Sequence, residues 1–240
     1  MSAKGSSQTL SEESSKHIVQ VLRMKTGDGL RLTDGNGKMA DAVITEDHKK
    51  KTEVLIKDVS IAPQPSPRNV IAISLLKNST RLEWFLEKAA ELGISKIVPL
   101  LCSRTEKQHF RYDRMKSILV SAMLQSQQPW LTELSEPISF KEFIAKETSE
   151  KETSEKETSE DVQRFIAHCE ETLKEPLSSP KYQNIKPKLV LIGPEGDFTP
   201  EEIKLATDLG YAPVELGKTR LRTETAGVVA ATLLQVMSEL

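Results

Sequence analysis

Apolar positions fall into two regimes along the chain. Before residue 62 they sit in short segments broken by turn residues; from residue 69 onward they form unbroken runs separated by stretches of helical period. Asn69–Leu76 (NVIAISLL), Ile94–Leu101 (ISKIVPLL) and Lys188–Ile192 (KLVLI) are such runs, rich in β-branched residues, as expected of strands buried on both faces. Between the first two, Leu82, Phe85, Leu86, Ala89 and Ala90 mark one face of a helix. Thr80 and Glu83 have capping-box spacing at its start, and Gly93 stops it. Strand, helix and strand in this order predict a parallel sheet with right-handed crossovers. Met115–Gln127 reads as another helix and 161–175 as helical, while Trp130–Ile144 has no single pattern. Thr199-Pro200-Glu201-Glu202 supplies an N-cap threonine, a proline at the first helical position and a glutamate two positions later. That helix runs to Leu209 and ends at Gly210. Pro213–Leu216 is a last short strand. Thr225–Met237 is a final helix with Ala226, Val229, Ala230, Leu233, Leu234 and Met237 on its apolar side.

In the first part, residues 1–15 are rich in Ser and Glu and are expected to be mobile or loosely paired. His17–Met24 (HIVQVLRM) reads as a short helix. Leu30–Thr33, Lys38–Thr45 and Thr52–Ser60 read as strands. The first two are joined by Asp34-Gly35-Asn36-Gly37, residues that accept positive φ cheaply. Residues 1–61 therefore predict a small β-rich, barrel-like domain. Ala62–Arg68 has alternating prolines and reads as a stiff linker. Residues 69–240 then form an α/β domain. Arg23, Lys25 and Arg31 cluster in the first domain, either as a solvated face or as a nucleic-acid contact.

Charge changes this picture once it is divided. The chain carries −2 overall, but 146–160 reads KETSE three times, with three lysines against six glutamates. Without that segment the remainder is +1, so any contact with nucleic acid comes from local clusters rather than a global field. The repeats lack apolar residues and are expected as a solvated helix or as disorder, without function. No apolar run of transmembrane length occurs, the N-terminus lacks the apolar core of a signal peptide, and no membrane association is expected. Two cysteines, Cys102 and Cys169, lie far apart without metal-ligand spacing. No metal site is expected, and a reducing cytoplasm fits.

Two polar loops stand out against the apolar pattern, each following a predicted strand. One is Leu191-Ile192-Gly193-Pro194-Glu195-Gly196-Asp197-Phe198. The other runs from Leu216 to Ala226 (LGKTRLRTETA) and leads straight into the last helix. In open α/β sheets ligands bind at the C-terminal ends of strands. Gly193 and Gly196 let backbone approach a ligand closely. The hydroxyls of Thr223 and Thr225 can satisfy free N–H groups of the first helical turn, and those N–H groups can also face a ligand. The plainer reading of each loop is a turn with a helix cap. No G-x-G-x-x-G and no G-x-x-x-x-G-K-[ST] is present, which weighs against a dinucleotide-binding domain and an NTPase loop.

Together LIGPEGDF and LGKTRLRTETA resemble the RsmE-type family of ribosomal RNA uridine-N3-methyltransferases, of the SPOUT class. HIVQVLRMKTGD, DGNGKMADAVI, EKAAELGISKIVPL and Ser103-Arg104 are similar to other blocks of that family, so the resemblance spans most of the chain. It implies a PUA-like β-barrel that helps hold RNA, followed by an α/β domain ending in a trefoil knot. It implies a homodimer in the cytoplasm acting on 16S (small-subunit) ribosomal RNA, with S-adenosylmethionine as methyl donor. By residue match the donor lies against Ile192, Gly193 and Gly196 on one side. Leu216, Gly217, Leu221, Arg222, Thr223 and Thr225 form the other.

Transfer of a methyl group to N3 of uracil requires loss of the N3 proton. The site therefore needs a proton acceptor or a cation that stabilises the uracil anion. Arg222 is the candidate cation. Glu224 and Glu195 are candidates for base or for orienting Arg222, or else cap helix N-termini. Arg23, Lys25, Arg31, Lys77, Arg81 and Arg104 are the candidate RNA contacts. Three departures from the family are visible. Asp197 replaces the second glycine of its GPEGG run, its N-terminal arginine-and-aromatic strand is missing, and Met123–Gln128 only partly matches a Glu-Gln-Ser-containing block. The alternatives are a non-catalytic RNA-binding ribosome assembly factor, an enzyme of the same fold with a different RNA target, and a phosphate-binding α/β enzyme.

Overall fold

The computed structural model describes residues 3–106, 109–153 and 162–238, with backbone alone for 149–153. The chain divides into two compact units. One runs up to Gln64 and includes Gln127–Trp130; the other takes Pro65–Ser126 and everything from Leu131 onward.

The first unit holds β1 (Ser7–Thr9), α1 (Glu12–Lys16) continued by a π-helical turn (His17–Val21), β2 (Gly29–Thr33), β3 (Lys38–Glu46) and β4 (Glu53–Ile61). These strands make an antiparallel ladder in the order β1-β4-β3-β2, the sheet of the β-rich first domain that the sequence predicted. Ala40, Ala42 and Ile44 on β3 and Val54 and Ile56 on β4 alternate onto one face, and Ile18 from the helical segment covers it. The expectation of a loose N-terminus is corrected. Ser7–Thr9 pairs with Glu53–Leu55, and the helix starts at Glu12 rather than His17. Ser11 caps that helix by accepting the Ser14 N–H at 3.2 Å. A polar cap and a polar edge strand carry no apolar period, so pattern reading passed over both. Nor does the pattern foretell the return of Gln127–Trp130. The Gly37 N–H donates to the Pro129 carbonyl at 2.9 Å, the Trp130 indole N–H donates to the Pro63 carbonyl at 2.8 Å, and the indole lies where any side chain on Gly37 would be.

The second unit is an α/β layer structure. Its elements are β5 (Val70–Ser74), α2 (Ser79–Glu91), β6 (Lys96–Leu101), α3 (Tyr112–Gln125), β7 (Glu133–Leu134), β8 (Ile138–Ser139), α4 (Phe140–Thr153), β9 (Gln163–Ala167), β10 (Glu175–Pro176), β11 (Lys188–Ile192), α5 (Pro200–Asp208), β12 (Ala212–Glu215) and α6 (Thr223–Ser238). All of its strand pairs are parallel, in the order β10-β12-β9-β11-β5-β6-β7, with β8 also paired to β6. Ile71, Ile73, Val190 and Ile192 face α2, α3 and α6, while Ala72, Leu189 and Leu191 face α4 and α5. Covered faces on both sides explain the unbroken apolar runs.

The expected helix over 161–175 is a strand. β9 lies between β12 and β11, with Phe165 buried toward one helix layer and Ile166 toward the other. A five-residue segment buried on both faces carries neither the helical nor the alternating period. The capping box at Thr80 is also corrected. Asn78 caps α2 by accepting the Thr80 N–H at 2.9 Å, and Glu83 instead receives Arg114 of α3 in a two-bond fork at 2.9 and 2.8 Å. At α5 the predicted box is present: Thr199 and Glu202 bond each other's backbone N–H groups at 3.2 and 2.9 Å. The first part of the KETSE segment, through Thr153, continues α4; the rest of it lies outside the described residues.

Candidate active site

The last rungs between β9 and its neighbours are Ala167↔Ile192 and Ala167↔Val214. Beyond them the three strands part, and two adjoining cavities of about 300 and 350 Å³ open at their C-terminal ends. Ala167, Cys169, Arg220, Leu221 and Ala226 line both, so the two form one cleft. Its size suits a drug-sized ligand.

One wall is the loop after β11, whose path is fixed on three sides. Arg104 donates from Nη1 to the carbonyls of Gly196 at 2.7 Å and Phe198 at 3.2 Å. Glu195 Oε1 accepts the Lys77 N–H at 3.2 Å. Asp197 Oδ2 accepts the Cys169 N–H at 2.7 Å. Beneath the loop, buried Glu202 accepts from both Ser103 N–H at 2.8 Å and Ser103 Oγ at 3.0 Å, joining the start of α5 to the segment after β6. Gly193 is tightly packed: a Cβ there would stand 3.0 Å from the Phe198 ring and 3.1 Å from its nitrogen, so a side chain would require Phe198 to shift by a few tenths of an ångström.

The other wall is the loop from Leu216 to Arg222. Gly217 has φ +148, in the region that favours glycine, and a Cβ there would meet open space. Arg222 is exposed on the cleft, and its carbonyl accepts the Ala226 N–H at 2.8 Å, which starts α6. Thr223 is buried against the cleft.

Behind the cleft lies His168, buried, with neither ring nitrogen hydrogen-bonded. Burial, reinforced by the Lys174 ammonium, holds its pKa below the usual histidine value. Its carbonyl accepts from Lys174 Nζ at 2.8 Å. Burial pushes the Cys102 thiol up to about 12, which disfavours its thiolate.

Known proteins match this arrangement over nearly its whole length. Residues 63–235 match the RNA methyltransferase domain family, and residues 10–57 match the RNA methyltransferase PUA domain family. A ribosomal RNA small subunit methyltransferase E from Synechocystis is 30% identical over 96% of this chain and 73% of its own length. The chain belongs to the ribosomal RNA small subunit methyltransferase E family. Solved structures agree with that membership. A probable rRNA-methyltransferase from Porphyromonas gingivalis superposes with a TM-score of 0.84 at 34% identity, covering 97% of this chain and 94% of that one. A putative methyltransferase from Legionella pneumophila, solved with its bound cofactor SAM, gives 0.82 at 29% identity, covering 98% and 94%.

Within this member of the methyltransferase E family, Ile192, Gly193, Leu216, Gly217, Leu221, Arg222, Thr223 and Glu195 all border the cleft. Gly196 and Thr225, read from sequence as donor contacts, are not among its lining residues, and Gly196 instead offers its carbonyl to Arg104. Glu224 points elsewhere as well: Oε1 stands 3.6 Å from Arg81 Nε. Lys77 pairs through Nζ with Glu106 at 2.7 Å, so Lys77, Arg81 and Arg104 each have partners within this unit. In the first unit Arg31 pairs with Asp41 at 2.9 Å, Lys25 stands 3.8 Å from Asp47, and Arg23 is exposed at φ +56. Sequence reading missed Ala167, His168, Cys169 and Lys174 because it made their segment a helix. It passed over Arg220, which lines both cavities, in favour of Arg222. The adjacent Phe165-Ile166 pair, apolar toward both faces, was the available signal for β9.

Proposed function

We propose that this protein transfers a methyl group from S-adenosylmethionine to N3 of a uridine in small-subunit ribosomal RNA. The observation that carries this reading is the cleft where β9, β11 and β12 part, walled by the two polar loops. Its residues fit the donor: Ile192, Leu216 and Leu221 offer apolar contact, and the unpartnered His168 nitrogens lie behind it. When bound, S-adenosylmethionine supplies an electrophilic methyl group on a sulfonium.

The chain's own task is to hold the uracil in line and to favour its anion. Arg222 stands at the cleft as the cation that stabilises negative charge on the uracil oxygens as the N3 proton leaves. Glu195, exposed on the same cavity, is positioned to receive that proton directly or through water. Glu224, at the start of α6, acts through Arg81 of α2, which it orients. Much of the rate comes from fixing the two reactants together.

The same reading includes a trefoil knot and a homodimer. After β12, which lies beyond β9, the chain turns back so that α6 packs on β11 and β5, a return across the sheet that supports the knot. Trp84 on α2 and Val236 on α6 are exposed, which supports a dimer surface on those helices. RNA contact would draw on Arg23, Lys25 and Arg31 as well as Lys77, Arg81 and Arg104. The place of action is the cytoplasm, where small ribosomal subunits are assembled.

The test is calorimetric titration with S-adenosylhomocysteine, followed by mass spectrometry of small-subunit RNA incubated with protein and donor. Saturable binding, lost in Gly217→Val, and one added methyl on a uridine base are expected. A folded protein that binds no S-adenosylhomocysteine points to the RNA-binding assembly factor instead.

A further inference from the structure

Asp197 occupies a conformation that its side chain must compensate. Its φ is +64, a left-handed value that glycine takes freely and that aspartate adopts at some cost, helped by local hydrogen bonds of its short side chain. The N–H of Asp197 closes a turn onto the Pro194 carbonyl at 2.9 Å. Both carboxylate oxygens are then used: Oδ1 accepts the Phe198 N–H at 2.8 Å, and Oδ2 accepts the Cys169 N–H at 2.7 Å. The first bond is local. The second reaches across to the segment that follows β9, two residues beyond the last β9–β11 rung at Ala167↔Ile192. At that level the ladder has ended and the strands are parting to form the cleft. The carboxylate supplies a cross-link where the backbone no longer does, and Asp197 and Cys169 both line the cavity it spans. Hydrogen bonds to an ionised acceptor are the stronger kind.

We propose that Asp197 is a positioning residue for the donor: its carboxylate ties the loop after β11 to the end of β9 and so sets the width of the cleft. This inference rests on reading the cleft as the S-adenosylmethionine site. Two consequences of removing the side chain run in opposite directions. A glycine at 197 relieves the backbone, which favours the fold locally. The same glycine releases Cys169 and lets the two walls separate. A residue that only shaped the turn would show the first effect without the second.

The experiment compares the full-length wild type with Asp197→Gly and Asp197→Asn by three measurements: thermal unfolding without ligand, calorimetric titration with S-adenosylhomocysteine, and amide hydrogen exchange at Cys169. Asp197→Gly is expected to melt no more than a few degrees below the wild type, relief of the left-handed backbone offsetting part of the two lost hydrogen bonds, to lose protection at the Cys169 amide, and to bind about tenfold more weakly. Asp197→Asn keeps one acceptor oxygen and tolerates the left-handed backbone, so it is expected to fall between the two. Affinity within twofold of wild type in Asp197→Gly overturns this inference and leaves the functional reading standing. Unchanged exchange at Cys169 overturns it too, because the tie is then not formed. A wild-type protein that binds no S-adenosylhomocysteine overturns the functional reading, and the inference with it.

Discussion

Arg81 on α2 is the charged partner of Glu224 at the first turn of α6, with Nε 3.6 Å from Oε1. The pair is unevenly buried. The Glu224 side chain is 9% exposed against 40% for Arg81, and Glu224 Oε2 is buried without a hydrogen bond. Without Arg81 the carboxylate keeps only the favourable field of the helix N-terminus. Arg81→Ala is therefore expected to cost roughly 1–2 kcal/mol, less than the removal of a partner from a fully buried pair, because Arg81 is screened by water. Glu224→Gln in the Arg81→Ala background should recover much of that loss. A double-mutant cycle by urea unfolding measures the coupling, and strictly additive losses would show that the pair is not coupled.

Gly227 marks where α6 lies closest to its neighbours. A Cβ there would stand 2.5 Å from Phe85 Cε2 and 3.0 Å from Ile73 Cδ1. Alanine is the better helix former by about 1 kcal/mol, which alone would stabilise. The clash with a fully buried ring outweighs this, since overpacking costs about 1–3 kcal/mol and Phe85 has no room to move. Gly227→Ala is expected to lower the urea midpoint, and Phe85→Leu added to it should restore part of the loss. A raised midpoint in the single variant would mean that α6 shifts freely.

The central strands were legible because burial on both faces writes itself as an unbroken apolar run, as in Lys188–Ile192. α5 was legible because Thr199, Pro200 and Glu202 spell out its start. β9 was not, since five residues between two neighbours need no period, and its loss hid Ala167, His168 and Cys169 from the site. Nor was the α2 cap, because Asn78 and Thr80 are both good capping residues and only geometry chooses between them. Asp197 could be seen as a departure from the resembled family's loop, but its bond to Cys169 joins residues 28 positions apart, a distance that local spacing cannot reveal.

His168 makes stability depend on pH with a definite sign. Its pKa in the folded protein is lowered from 6.5, chiefly by burial and next by Lys174. The unfolded chain therefore binds the proton more readily than the folded one. The contribution to stability is present above the ordinary value, and it is lost as pH falls from there through the lowered folded value. His168→Gln is expected to flatten the decline of stability below about pH 6.5, relative to wild type. Urea midpoints for both proteins across pH 5–8 make the comparison, and the difference between them removes the carboxylates common to both. Parallel curves would place the imidazole in contact with water.

Arg222 tests the chemistry itself. Its side chain is exposed on the cleft, and only its backbone carbonyl takes part in starting α6. Truncation at Cβ should therefore leave the melting temperature nearly unchanged. The uracil anion that forms as N3 loses its proton would lose its stabilising charge, an effect on the order of 100-fold or more in kcat. Arg222→Ala is expected to show that loss with S-adenosylhomocysteine affinity kept within about threefold, whereas Arg222→Lys, which keeps the charge but not the fork, should recover only part of the rate. Raising the pH ionises more of the uridine without help from the enzyme. The ratio of wild-type to Arg222→Ala rates should therefore narrow as pH rises, and added guanidinium ion should narrow it at neutral pH. If affinity falls and kcat does not, Arg222 belongs to the donor wall, and Arg220, the other arginine lining the cleft, becomes the candidate for the charge that meets the uracil.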